Sequence, residues 1–186
     1  RETVPADRRR LSTPWNPATE IVHIGIQGYG LPQGERPPVN LVLLLDVSGS
    51  MEDPDKLPLL QKSLSMLTKE MTAHDRISIV VYAGNAGVVL EPTAGNETLK
   101  ITQAIDNLSA GGSTAGGEGI RRAYELAEAN LIKGGVNRVI LATDGDFNVG
   151  TVSQDALETM IADQRRSGIA LTTLGFGTGN YNDALA

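Results

Sequence analysis

The sequence predicts an α/β fold, a doubly wound, mostly parallel sheet flanked by helices. Two segments, 39–45 and 136–142, are short and mainly apolar, which is typical of strands covered on both faces. Segments with helical periodicity alternate with the predicted strands, and this alternation favours crossover connections in a parallel sheet. The 186 residues are enough for one domain with its own core.

Composition excludes several classes of function. Hydrophobic residues make up 40% and charged residues 20%, which is ordinary for a globular protein. The net charge of −6 argues against binding of nucleic acid or of an acidic membrane surface. The chain has no cysteine, so it has neither a disulfide framework nor a thiolate metal site. No apolar run reaches the roughly 20 residues that span a bilayer, so we expect no direct membrane insertion in this segment.

The first 38 residues differ from the rest. Residues 1–18 are polar, contain three prolines and the basic run 8–10, and predict a solvated, extended arm. Apolar and other residues alternate over 20–27, which predicts a half-buried strand. A connector rich in Gly and Pro fills 28–38. We therefore expect an N-terminal arm, strand and connector over 1–38, and the main domain over 39–186.

The main domain is predicted to continue strand 39–45 with alternating helices and strands. The segment 87–90 follows a Gly-Asn turn and predicts a short antiparallel hairpin strand. The predicted helices cover 57–72, 99–108, 120–131 and 154–166, and the predicted strands cover 77–82, 87–90, 136–142 and 169–174.

Polar side chains follow two of the buried strands. Asp46, Ser48 and Ser50 alternate directly after the first, and Asp144 follows the strand 136–142. Open α/β sheets bind ligands at the carboxyl ends of their strands. Carboxylate and hydroxyl oxygens without His or Cys suit Mg²⁺ or Ca²⁺. A glycine-rich loop that contains Thr114 should lie on the same side of the sheet.

Simpler interpretations of these residues exist. Asp46 and Ser48 could cap the following helix, because Asp and Ser are favoured N-caps. Thr114 could be a turn residue, and Ser113 is its neighbour. Asp46 could also be the nucleophile of a metal-dependent hydrolase or phosphotransferase. That chemistry favours a second carboxylate at position 48, where the chain has serine. Asp144 begins a string like a calcium-binding loop, but Val149 stands where such a loop needs glycine.

Taken together, the three motifs resemble the von Willebrand factor type A (VWA) domain. Asp-x-Ser-x-Ser follows an apolar strand, a threonine lies in the Gly-rich loop, and an aspartate follows a later apolar strand. The resemblance covers about residues 39–182, with the motifs in the family's order. It implies the family's metal-ion-dependent adhesion site, formed here by Asp46, Ser48, Ser50, Thr114 and Asp144.

The same resemblance implies a function. The ion would be Mg²⁺, with Mn²⁺ or Ca²⁺ as alternatives, and direct ligation by Ser48, Ser50 and Thr114 is the family's usual arrangement. A protein ligand presenting a carboxylate would fill the open coordination position. We therefore expect a protein-binding or adhesion module that is not an enzyme. The motif wording is similar to bacterial members found in larger surface or exported proteins.

The sequence departs from the family pattern at its C-terminal end. The family continues with a further helix, a last strand and a C-terminal helix, whereas this sequence stops at Ala186. We therefore expect a VWA domain that lacks its last strand and helix. Such an incomplete sheet leaves an exposed edge, which could pair with another copy or with the N-terminal strand.

Overall fold

The computed structural model describes residues 6–13, 16–26, 36–83, 85–111, 116–145 and 154–177. The chain divides into two compact units, Arg1–Arg36 and Pro37–Ala186. Among the described helices, none combines the length and the apolar character that crossing a bilayer requires.

The first unit contains an antiparallel hairpin. Strand β1 (Ala6–Thr13) pairs with strand β2 (Asn16–Ile26), and Ala6 lies opposite Ile26. Strand β2 confirms the strand predicted over 20–27. The prediction of a solvated arm over 1–18 is wrong, because residues 6–13 of that segment form β1 and residues 16–18 begin β2. Ladder hydrogen bonds join backbone groups, so β1 pairs with β2 without an apolar pattern of its own. The predicted connector lies mostly in 27–35, outside the described residues.

The second unit is a five-stranded sheet in the order β5-β4-β3-β6-β7. Strands β3, β4, β6 and β7 are parallel, and β5 is antiparallel to β4. This arrangement confirms the predicted fold class. The elements are β3 (Val39–Asp46), α1 (Leu57–Lys69), β4 (Arg76–Ala83), β5 (Asn85–Ala94), α2 (Thr98–Asp106), α3 (Gly116–Ala129), β6 (Val136–Thr143), α4 (Gln154–Arg166) and β7 (Ile169–Gly175).

Three predicted boundaries differ from the observed ones for physical reasons. Helix α1 ends before residue 72, because Thr72 turns its N–H and hydroxyl toward the carboxylate of Asp75, at 2.6 and 2.9 Å. Helix α3 begins at Gly116, before the apolar periodicity that starts at Ile120. Strand β5 is longer than the predicted 87–90, because its pairing with β4 continues through register shifts to Ala94.

The sheet is covered on both faces, and β3 lies at its centre. Leu43 and Leu45 point to the face covered by α1 and α2. Leu44 points to the opposite face, against residues of α3. Full burial of one such side chain stabilises the fold by roughly 1.5–3 kcal/mol. The apolar run of β3 is therefore explained by burial on both faces, which fixes the position of its carboxyl end.

Helix α3 packs very closely on the sheet. A Cβ atom at Gly119 would lie 3.0 Å from Cβ of Tyr82 and 3.1 Å from Cδ1 of Leu44. Glycine at this position therefore lets the first turns of α3 approach β3 and β4. The close approach brings the first turns of α3 toward the carboxyl end of β4, where Tyr82 lies.

Strand β7 lies at one edge of the sheet, with β6 as its neighbour among the described strands. Self-association through it stays a prediction.

Candidate metal centre

Asp46 is the last residue of β3, and its side chain is fully buried. Its Oδ1 accepts a hydrogen bond from the backbone N–H of Ser48 at 2.9 Å. Its Oδ2 accepts from the hydroxyls of Tyr82, at 3.2 Å, and Thr143, at 3.3 Å. These donors come from β4 and β6 on either side, so the carboxylate is held at the carboxyl end of the central strand.

The two serine hydroxyls follow Asp46 around the turn. Ser48 is buried and Ser50 is exposed, and their Oγ atoms lie 3.0 Å apart. Ser50 belongs to a short 3-10 helix, Gly49–Glu52, which Ser48 precedes without a side-chain capping bond. Helix α1 begins only at Leu57, after Lys56. The structure therefore does not use Asp46 or Ser48 as the helix caps that the simpler interpretation required.

Asp144 directly follows β6, and its side chain is 3% exposed. Strand β6 runs parallel to β3, with Leu45 opposite Ala142. Asp144 therefore lies beside Asp46, at the carboxyl ends of these two neighbouring strands. The next residue, Gly145, has a φ of 100°, a left-handed conformation that favours glycine and turns the chain sharply after Asp144.

Lys56 brings into this cluster a cation that no motif in the sequence indicates. Its Nζ donates to Oδ2 of Asp144 at 3.1 Å and to the backbone carbonyl of Ser50 at 2.8 Å. A third acidic group, Asp53, lies 3.7 Å from the same ammonium. The lysine side chain is only 12% exposed. Its one signal in the sequence is its place between the Asp-x-Ser-x-Ser turn and α1.

The electrostatics of the cluster favour a cation. Burial, and in addition the charge of Asp144, raises the pKa of Asp46, while hydrogen bonds from Ser48 oppose this rise. Burial raises the pKa of Tyr82, so its phenol remains a hydrogen-bond donor to Asp46. The hydrogen bond to Asp144 raises the pKa of Lys56. Two carboxylates close together in a poorly solvated site are stabilised by positive charge.

The described donors fit a hard divalent cation. Carboxylate and hydroxyl oxygens are the ligands that Mg²⁺ and Ca²⁺ prefer. Over the described ranges, no group of three or more His, Cys, Asp and Glu side chains is placed to hold a metal ion. A metal at the carboxyl ends of β3 and β6 would therefore depend on the serine and threonine hydroxyls as well as on Asp46 and Asp144.

Thr114 and its neighbour Ser113 lie in 112–115, outside the described residues, so the role of Thr114 stays a prediction. The loop that contains them starts beside the site. The backbone N–H of Gly111 donates to the carbonyl of Val47 at 2.7 Å. That bond brings the beginning of the Gly-rich loop to the turn between Asp46 and Ser48.

Open α/β sheets bind their ligands at the carboxyl ends of the strands, and this chain has its polar cluster there, after β3 and β6. Residues 40–186 match the family described as von Willebrand factor type A domain. The chain belongs to that family. VWA domains commonly serve in adhesion and in protein interaction.

A relative from Escherichia coli shows how far the sequence similarity extends. "Uncharacterized protein YfbK" of Escherichia coli (strain K12) is 45% identical over 172 residues, which are 92% of this chain and 30% of YfbK. The chain therefore spans less than a third of the length of that relative. Because the match covers so much of the chain, it includes part of the N-terminal unit.

The structural matches show the fold. The conserved hypothetical protein BatB from Bacteroides thetaiotaomicron has a TM-score of 0.61 at 24% identity, over 74% of this chain and 66% of that one. The vWF domain of the type V pili tip protein Mfa5 from Porphyromonas gingivalis has a TM-score of 0.54 at 23% identity, over 64% of this chain and 43% of that one. A pilus protein is thus among the structural neighbours.

Proposed function

We propose that this chain is a divalent-metal-dependent protein-binding module whose metal coordinates an acidic group of the partner. Mg²⁺ is the proposed ion, with Mn²⁺ or Ca²⁺ as alternatives. One observation carries the proposal. The carboxylates of Asp46 and Asp144 and the hydroxyls of Ser48 and Ser50 lie together at the carboxyl ends of β3 and β6, where a cationic side chain already contacts Asp144.

Each residue has a distinct part in this proposal. Asp46, Ser48, Ser50 and Asp144 would hold the ion, together with Thr114 from the neighbouring loop. The hydroxyls of Tyr82 and Thr143 orient the carboxylate of Asp46 by donating hydrogen bonds to its Oδ2. When bound, the metal would supply a Lewis-acidic position for an anionic oxygen. Only two of the protein donors are charged, so an acidic side chain of a partner is the expected ligand.

A metal-dependent hydrolase or phosphotransferase using Asp46 is less well supported. A nucleophilic carboxylate must reach its substrate, whereas the side chain of Asp46 is fully buried. Both of its oxygens already accept hydrogen bonds from the protein. Burial and these bonds favour a role in holding an ion over a role in attacking a substrate.

A binding experiment tests the proposal. The immobilised chain is exposed to a peptide library containing Asp and Glu, and to a matched library with Asn and Gln in their place. Binding to the acidic library should require Mg²⁺ and should be lost in Asp144→Ala. The control Asp106→Ala changes an exposed carboxylate at the end of α2 and should bind as the wild type does.

Two results would count against the binding proposal. The first is equal binding of acidic peptides with Mg²⁺ and with chelator. The second is metal-dependent turnover of an aryl phosphate or ester that Asp46→Asn abolishes, which would favour the hydrolase.

A further inference from the structure

The side chain of Lys56 lies in the candidate metal centre with little exposure to solvent. Its ammonium bonds to Asp144 and to the carbonyl of Ser50, and 12% of the side chain is exposed. Lysine is among the residues that are rarely buried without a charged partner. The cation is therefore part of the cluster.

The fold holds Lys56 in this position from several sides. Its backbone N–H donates to the carbonyl of Asp53 at 3.0 Å, and its carbonyl accepts from Leu60 at 2.9 Å. Pro58, at the start of α1, favours the beginning of the helix at this point. The aliphatic stem lies against the chain after β7, since a Cβ atom at Gly177 would lie 2.8 Å from Cε of Lys56.

We propose that Lys56 is a built-in counter-cation, which shares Asp144 with the divalent ion and so lowers the affinity of the site for that ion. This inference rests on the proposed metal-binding function. In the metal-free protein the ammonium offsets the charge of the buried Asp144, and this neutralisation stabilises the fold. In the loaded protein the ammonium and the metal would be like charges on one carboxylate, and their repulsion would weaken metal binding.

A direct contact of Lys56 with the partner's carboxylate explains the geometry less well. The ammonium has its acceptors within the protein, at 2.8 and 3.1 Å, and its stem packs against the chain. A partner would have to displace these contacts. The metal, in contrast, needs the same Asp144 that the ammonium already occupies.

Titration of Mg²⁺ alone into the protein at fixed pH, followed by calorimetry, tests the inference. Lys56→Met removes the charge and keeps an apolar stem. Lys56→Gln removes the charge and keeps a donor for the carbonyl of Ser50. Removing a like charge from a partly buried site should lower the Kd for Mg²⁺ by about tenfold or more in both variants. The control Lys62→Met removes an exposed lysine of α1 and should stay within about twofold of the wild type.

Melting curves supply a second readout. In chelator, Lys56→Met and Lys56→Gln should melt below the wild type, because Asp144 loses its counter-cation. In saturating Mg²⁺ the difference should shrink or reverse. Lys62→Met should show neither effect.

The outcomes separate the inference from the proposed function. If the wild type binds Mg²⁺ and both Lys56 variants bind it equally or more weakly, the inference is overturned and the metal site stands. If the Lys56 variants bind Mg²⁺ where the wild type does not, the inference is supported in its strongest form. If the wild type and all variants fail to bind Mg²⁺ or Mn²⁺, the proposed function itself falls and the inference falls with it.

Discussion

Both ends of the central strand bury aspartate side chains, and Asp75 at the amino end has partners of a different kind from those of Asp144 at the carboxyl end. At the amino end, Asp75 accepts from the backbone N–H groups of Val39, at 2.9 Å, and Thr72, at 2.6 Å. It thereby ties the start of β3 to the loop before β4. At the carboxyl end, Asp144 is held by the side-chain ammonium of Lys56. The carboxylate of Asp75 thus accepts from backbone groups, whereas the contact of Asp144 with Lys56 joins two side chains.

The neighbouring polar groups repeat this difference. At the amino end, the amide of Asn137 accepts from the N–H of Ile132 at 2.8 Å and donates to its carbonyl at 3.0 Å. At the carboxyl end, the hydroxyls of Ser48 and Ser50 bond to each other. Backbone partners cannot leave without local unfolding, whereas side-chain partners can rotate away. The amino end is therefore built for stability, whereas the contacts between side chains at the carboxyl end, those of Lys56 with Asp144 and of Ser48 with Ser50, can be exchanged for a ligand.

The largest expected effect is at the amino end. Asp75→Ala leaves the backbone donors of Val39 in β3 and of Thr72 in the loop before β4 without their charged acceptor, which should lower the free energy of unfolding by about 3 kcal/mol. Urea unfolding measures this loss, and the stabilisation by Mg²⁺ should persist in the variant. The exposed control Asp106→Ala should stay within about 0.5 kcal/mol of the wild type. A loss at Asp75 as small as that of the control would remove the contrast between the two ends.

The next effect concerns the carboxyl end. A ligand at 100 times its Kd stabilises the folded state by about 2.7 kcal/mol, by mass action. For a chain of this length that corresponds to a rise in Tm of roughly 5–10 °C. Asp144→Ala should abolish the rise with Mg²⁺ in a thermal melt. An undiminished rise in this variant would show that the ion binds elsewhere.

A smaller effect of opposite sign is expected at Asp46. Burial raises the pKa of its carboxyl in the folded state. Its contribution to stability is therefore fully present below the unfolded pKa and is lost as pH rises through the folded pKa. Asp46→Asn removes the charge that burial disfavours, so at pH 7 in chelator it should melt higher than the wild type.

The amide of that variant can still accept from Ser48, and the hydroxyls of Tyr82 and Thr143 can rotate to accept from its NH₂ group. The same variant should lose the response to Mg²⁺. A lower Tm in chelator, unlike that of the exposed control Asp106→Asn, would contradict this account of Asp46.

The smallest effect tests the packing around Lys56. Gly177 and Gly134 both have positive φ values, 86° and 75°. An alanine at either position should cost about 1 kcal/mol through backbone strain. Only the Cβ atom at Gly177 would meet Lys56, at 2.8 Å, because nothing lies within 4 Å at Gly134. Gly177→Ala should therefore change the affinity for Mg²⁺, and Gly134→Ala should not. Equal affinities would show that the stem of Lys56 does not depend on this contact.

The sequence contains most of the information about the sheet and its helices. The apolar run of β3 depends on burial of its own side chains, and the periodicity of α4, observed over the predicted 154–166, packs the partly buried Met160 and Ile161 against the core. Strand β1 was missed because it depends on backbone pairing with β2, which no side-chain pattern reports.

The candidate site likewise contains residues whose place follows from their own strand and one whose place depends on packing with other segments. The sequence predicts that four site residues lie close together, because they end parallel strands or follow directly from one. These residues are Asp46, Ser48, Ser50 and Asp144. The place of Lys56 could not be predicted, since its contact with Asp144 depends on where α1 begins and on how its stem packs. The role of Thr114 stays a prediction, since the residue lies outside the described part of the chain.

The central claim is that Asp46 and Asp144 belong to one divalent-metal site, and direct binding of Mn²⁺ tests it. Free Mn²⁺ is followed by electron paramagnetic resonance while the protein is titrated. We predict one bound Mn²⁺ per wild-type chain, displaced by excess Mg²⁺. Asp46→Asn and Asp144→Ala should each lose this binding, and Asp106→Ala should retain it. Absence of binding by the wild type, or undiminished binding by both site variants, would contradict the account.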